Sequence, residues 1–170
     1  LLAWQSSSRP AMLAGAWLQN YHIEAGADEQ ELKAALRREG QDARALADAL
    51  AELKATKLSR RLPADLVLGC DSTIALADGS MLDKAESREE ARAQLWKLRG
   101  ATHRLFSAAV LCEGGQPTWR FVDSAKLTMR NFSEAFLESY LDAEWPAIAG
   151  CVGGYRLEGR GAQLFRRIDG

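Results

Sequence analysis

The sequence predicts a mixed α/β fold, a sheet flanked by helices within one domain, and three observations carry that expectation. Leu66-Val67-Leu68-Gly69-Cys70 is an unbroken apolar run, which suits a strand covered on both faces. Two strand-like stretches flank Gly114-Gly115, a hairpin signal. Between these lie segments rich in Ala, Leu, Glu, Lys and Arg, whose composition is helical. Buried and hairpin-linked strands in one chain call for helices packed over a sheet.

In chain order, Leu1 to Trp4 reads as a short buried strand that runs into Ser6-Ser7-Ser8-Arg9-Pro10, and Ala11 to Leu18 has helical composition. Serines ahead of a helix accept hydrogen bonds from its free N–H groups, and proline is tolerated in the first turn. A strand, a polar turn and a helix start in that order make a place for an anion. Tyr21 to Ala25 is a second strand, followed by the acidic pair Asp28-Glu29. From Glu31 to Arg61 two helices are expected, broken near Gly40, the second spanning about Ala43 to Ser59 and stopped by Pro63. The Leu66–Cys70 strand leads into Asp71-Ser72-Thr73 and a further apolar stretch, Ile74 to Ala77, before the turn signal Asp78-Gly79. Ser87-Arg88-Glu89-Glu90 matches a capping box, opening a helix to Leu98 ahead of Gly100. Leu105 to Cys112 and Trp119 to Met129 form the hairpin, Ser133 caps a helix through Leu141, and Leu164 to Ile168 is a last strand after a glycine-rich segment.

At 170 residues and 47% hydrophobic content, the chain is long enough for a single compact domain over residues 1–170. Its 22 basic and 23 acidic side chains leave a net charge of -1, so it offers no field for a nucleic acid or other polyanion. An anionic substrate must then be held by a few local cations. Cys70, Cys112 and Cys151 are far apart and of odd number, as expected for reduced thiols in the cytoplasm. No apolar run approaches the roughly 20 residues of a membrane helix. No signal peptide is visible, although the chain begins at Leu1 rather than Met.

Several chemistries find no support. The phosphate-loop and dinucleotide glycine patterns are missing, as is the nucleophile elbow. Two histidines, His22 and His103, are too few for a histidine-rich zinc site, and both read as structural, with His103, ahead of a strand, also open to facing a cleft. What remains is a scattered polar set. Asp71 directly follows an apolar strand, where α/β folds place reactive groups; a carboxylate there can hold a divalent cation or take a proton from water, and it can equally be a turn aspartate bonded to its own backbone. Arg9 beside three serines at a helix start is an anion-binding candidate, with capping the alternative for the serines. Lys54 on a helix and Lys84 on a loop read as cations for the same anion or as solvated lysines. Glu29 reads as a second metal carboxylate or as a helix-dipole partner. Glu158, among glycines, is open to a ligand or to pairing with Arg156 or Arg160.

The order of these residues is more specific than any one of them. Ser6-x-x-Arg9-x-x-Met12-Leu13, Asp28-Glu29, Leu50-Ala51-x-x-Lys54-Ala55, Gly69-x-Asp71-Ser72, Gly79 with Lys84, Leu98-x-Gly100 with His103, and Ala149-Gly150 followed by Tyr155-x-x-Glu158-Gly159-x-Gly161 resemble, in sequence, the motifs of the Maf proteins. The resemblance covers nearly the whole chain. It implies a fold related to the inosine-triphosphate pyrophosphatases, often dimeric, with a central cleft, and a reaction that converts a nucleoside triphosphate and water to monophosphate and pyrophosphate with Mg²⁺ or Mn²⁺. By position it implies Asp71 as general base and metal ligand, Glu29 as its metal partner, and Ser6, Arg9, Lys54 and Lys84 as phosphate contacts.

Trp4 stands where the opening motif usually has serine, Ala85 follows the loop lysine in place of proline, and the chain stops at Gly170 ahead of the family's terminal segment, so its termini are expected to be incomplete. Base preference rests on Ser8, Ser72 and Glu158. Ser8 and Glu158 depart from the branch that acts on dTTP and UTP, and the C-terminal segment is similar to the 7-methyl-GTP branch, whereas Ser72 resembles the pyrimidine branch. A carboxylate suits the N1–H and N2 amino edge of guanine, or a positively charged methylated ring. 7-Methyl-GTP or a mixed specificity is therefore expected, with a non-catalytic nucleotide-binding regulator of cell division as the rival reading.

Overall fold

A computed structural model of the chain describes residues 2, 3, 15, 22, 23 and 29–170. The class is the mixed α/β one expected from sequence. Among the described residues the helices are α1 (Glu29–Arg38), α2 (Ala43–Arg61), α3 (Arg88–Leu98) and α4 (Glu134–Glu144). The strands are β1 (Leu2–Ala3), β2 (His22–Ile23), β3 (Val67–Ala75), β4 (Met81–Leu82), β5 (Thr102–Glu113), β6 (Gln116–Met129) and β7 (Phe165–Asp169). Their hydrogen-bonded order is β2-β1-β3-β5-β6-β7, with β4 on β3. β1 runs parallel to both β2 and β3, whereas β3–β4 and β6–β7 are antiparallel, so the sheet is mixed. The helix expected over 11–18 falls outside the described residues apart from Gly15, which is helical. No helix among the described residues is long and apolar enough to cross a membrane.

The chain divides into two compact units, one of Leu1–Ser72 and Phe106–Asp123, the other of Thr73–Leu105 and Ser124–Gly170. In the first, Asp42 caps α2 by accepting the Ala45 N–H at 2.8 Å, and the helix ends before Pro63 as expected. Its Ala47, Ala51, Ala55 and Leu58, a ridge at helical spacing, pack on Val67, Ala108, Val110 and Cys112. Gly114 and Gly115, with φ of +55° and +78°, make the two-residue hairpin turn between β5 and β6. The Gly115 N–H donates to Ser59 of α2 at 3.0 Å, which ties the turn to the helix.

In the second unit, Ser87 and Ser133 cap α3 and α4 by accepting the N–H groups of Glu90 and Phe136. Glu90 turns back to the N–H of Glu86, one residue earlier than a capping box requires. Leu95, Leu98, Leu137, Leu141, Ile148 and Leu164 are fully buried in its core. Arg88 and Arg92 of α3 bridge to Glu134, Glu138 and Asp142 of α4 along the exposed side of that helix pair.

One strand differs from expectation. β3 does not stop at Cys70 but continues through Asp71, Ser72 and Thr73 to Ala75. The reversal occurs at Asp78-Gly79, the turn the sequence signals, where the Leu76 N–H bonds the Ser80 carbonyl at 2.8 Å and Asp78 accepts from the Ser80 N–H. Polar side chains are tolerated in mid-strand when they find partners, and Asp71 and Ser72 both do. Asp71 is therefore a mid-strand residue, not a strand-end one.

Candidate functional site

The closest convergence of expected site residues lies in the first unit and begins with a missing side chain. A Cβ on Gly69 would stand 2.6 Å from the Ala55 nitrogen and 2.8 Å from the Ala55 Cβ, so only glycine lets β3 lie directly against α2. Small residues on the helix side, Ala51 and Ala55, complete that approach. Gly69 and Asp71 are two apart on the strand and share a face. Lys54 sits on α2 beside Ala51 and Ala55, so the close contact carries its ammonium to Asp71.

The resulting geometry is compact. Lys54 Nζ lies 2.5 Å from Asp71 Oδ1 and 3.2 Å from Glu29 Oε2. Lys54 is only 3% exposed, whereas the carboxylate side chains of Asp71 and Glu29 keep 14% and 21% of their surface. A buried ammonium is tolerable only when paired, and here two carboxylates share it. The trio carries a net charge of -1. Glu29 opens α1, where the helix dipole favours a negative group, as in the helix-dipole reading of the sequence. Its second oxygen, Oε1, is buried with no hydrogen-bond partner among the described residues.

That orphaned oxygen and the surplus negative charge fit a divalent cation. No group of three or more His, Cys, Asp or Glu able to hold a metal occurs among the described residues. A pair of carboxylates suits Mg²⁺ bound with substrate phosphates and water better than a metal fully caged by protein.

Ser72 takes the other side of the strand. Its hydroxyl lies 3.1 Å from that of Ser107, and its period-two neighbour Cys70 packs with Leu68 and Ala109. Ser72 is thus on the sheet face away from Lys54, and the structure does not bring it to Asp71. A cavity of about 630 Å³ in the same unit is lined along α2 by residues such as Glu52, Thr56, Lys57 and Arg60, and includes none of Glu29, Lys54 or Asp71.

The remaining expected residues are elsewhere in the chain. Lys84 is half-buried between β4 and α3. Glu158 is exposed between two short 3-10 turns, Val152–Gly154 and Arg160–Leu164. Of the two arginines that the sequence offers to Glu158, Arg156 gives its guanidinium to Glu144 at 3.0 Å, and the backbone N–H of Arg160 donates to the same carboxylate at 3.2 Å. Burial pushes the Glu144 carboxyl up, but these donors outweigh it and hold the group below the usual carboxylate range. Ser6, Ser8 and Arg9, like Trp4, lie outside the described residues.

His103 and Glu144 have structural roles the sequence only partly signalled. His103 is 2% exposed, its Nε2 stands 2.9 Å from the Tyr155 hydroxyl, and burial pushes its pKa down to about 4. Glu144 gave no sequence signal, since its partners follow it only after a turn and a glycine-rich stretch.

The family model described as Maf-like protein matches residues 1–170. A nucleoside triphosphate pyrophosphatase from Sphingopyxis alaskensis is 50% identical over 170 residues, covering 100% of this chain and 86% of that one. Another from Caulobacter vibrioides is 47% identical over 169 residues, covering 99% and 84%. Among solved structures, a HAM1 protein from Coxiella burnetii aligns with a TM-score of 0.48 and 14% identity, over 77% of this chain and 72% of that one.

Proposed function

The chain belongs to the Maf-like protein family along its whole length, and on that premise we propose that it is a nucleoside triphosphate pyrophosphatase, acting in the cytoplasm. Water attacks the α-phosphorus, the α–β anhydride bond breaks, and monophosphate and pyrophosphate leave. The single observation that most supports this reading is the shared Lys54 ammonium between Asp71 and Glu29.

Asp71 acts as the base that accepts the proton of the attacking water. Its carboxylate stays partly wet while its counter-ion is buried, so it can meet a substrate water without losing its orientation. Lys54 aligns that carboxylate and offers an ammonium to the phosphates as charge moves onto the leaving pyrophosphate. Lys84, Arg9 and Ser6 are further phosphate contacts. Glu29 and Asp71 would hold Mg²⁺ or Mn²⁺, which when bound supplies charge neutralisation on the phosphates. Glu158 reads the base, and its exposed carboxylate favours 7-methyl-GTP, with Ser8 and Ser72 as the other residues that set preference.

The test is pyrophosphate release from 7-methyl-GTP, GTP, dTTP, UTP and CTP, each with Mg²⁺, Mn²⁺ or chelator, beside Asp71→Asn. Turnover led by 7-methyl-GTP and lost both with chelator and in the variant is expected. Turnover led by dTTP or UTP retains the reaction and rejects the base assignment. No turnover of any triphosphate by the folded protein rejects the enzyme reading in favour of a nucleotide-binding regulator.

A further inference from the structure

The segment from Gly153 to Gly161 is held at almost every point except its tip. Upstream, the Tyr140 hydroxyl donates to the Gly154 carbonyl at 3.0 Å, and Tyr155 is fixed by His103 and by an edge-on contact with Phe165 at 4.9 Å. Downstream, a Cβ on Gly161 would stand 2.8 Å from the Arg156 nitrogen, and one on Gly159 only 3.1 Å from Glu144 Oε2. Both glycines therefore let the loop close on itself and on Glu144. The two oxygens of that carboxylate then hold the two ends of the loop, one the Arg156 side chain and the other the Arg160 N–H. Between these ends Leu157 and Glu158 point outward, Leu157 with 43% of its surface exposed.

Glu144 is the last residue of α4 and 6% exposed. A buried carboxylate is a poor source of stability, since apolar side chains of similar volume often do as well or better. What it provides is a fixed geometry with a donor on each oxygen. We propose that Glu144 is a positioning residue for base recognition, closing the Arg156–Arg160 loop so that Glu158 is presented in one conformation. The inference rests on the reading of Glu158 given above and adds the group through which that residue acts.

Glu144→Gln tests it. A carboxamide has one acceptor oxygen where two are used, and its NH₂ would face the Arg156 donors, so one end of the loop is released. Amide hydrogen exchange over residues 156–161 is expected to accelerate about tenfold while α4 is unchanged. For the preferred triphosphate KM rises about tenfold with kcat within about threefold, and preference over the other triphosphates falls in proportion. Glu158→Ala shows the same loss of preference without faster exchange. The double variant is no less selective than Glu158→Ala alone, because one residue acts through the other. If Glu144→Gln does not fold, Arg156→Gln removes the same contact from the loop side.

Faster exchange with preference intact overturns the proposal and leaves the enzymatic reading standing. Losses that add in the double variant overturn it too, as does a wild-type protein that turns over all triphosphates alike. A wild-type protein that turns over none removes the enzymatic reading itself, and the positioning role with it.

Discussion

Acid should destabilise this protein through His103 well before the carboxylates begin to titrate. The ring is 2% exposed and its pKa is pushed down from 6.5 to about 4, so the folded state refuses a proton that the unfolded chain accepts. A depressed folded-state pKa on a histidine means that stability is complete above the unfolded value and declines as pH falls from about 6.5 towards about 4. Between about pH 7 and about pH 5 the linked loss is about 2 kcal/mol from this one group. Urea unfolding across that range, on wild type and His103→Gln, reads it directly. Glutamine retains a polar group near the Tyr155 hydroxyl but has no proton to gain. The variant should be less stable at neutral pH, from lost ring packing against Tyr155 and Phe165, yet its stability should change by about 2 kcal/mol less on acidification. A parallel NMR titration should put the His103 midpoint near 4. Equal pH slopes in the two proteins, or a midpoint near the ordinary 6.5, would refute a buried neutral imidazole.

The proposed site makes three further predictions. Asp71→Asn should lower kcat by about 10²–10⁴ with the fold retained on circular dichroism, and undiminished turnover would remove Asp71 from the role of base. Gly69→Ala must push α2 away from β3, so it should cost about 1–3 kcal/mol in chemical unfolding and reduce turnover as well; a neutral effect on both would mean the Ala51–Ala55 approach is not what places Lys54. Lys54→Met leaves Glu29 and Asp71 facing each other without their shared cation. Its melting temperature should fall, and Mn²⁺ should raise it by more than in wild type, since a divalent cation substitutes for the lost ammonium. An equal Mn²⁺ response in both proteins would argue against the two carboxylates as ligands.

Local signals in the sequence were followed closely where short-range physics decides. α2 stops before Pro63, Ser87 and Ser133 are caps, and paired glycines turn the hairpin. These depend on backbone chemistry within a few residues. β3 runs past Cys70, where its apolar run ends, because Asp71 and Ser72 each find a side-chain partner on a different element. Lys54 and Asp71 were both singled out from sequence, but their contact at 2.5 Å depends on a helix–strand approach that neither residue encodes. Ser72 shows the converse: adjacent to Asp71 in sequence, it is on the opposite face because strand side chains alternate. Glu144 was illegible because a glutamate at a helix end looks like any surface charge until the chain folds back over it.

α1, the helix that delivers Glu29, buries none of its residues, while α2, which delivers Lys54, buries Ala47, Ala51, Ala55 and Leu58 among others. Local opening is easiest where least apolar surface is lost to water, so α1 should fray far more often than the α2–β3 pair beneath it. Each such excursion withdraws one carboxylate and leaves the other bound to its lysine. The negative charge around Lys54 then falls and returns with the helical population of α1, so a substitution that steadies that helix would keep both carboxylates on the lysine for more of the time.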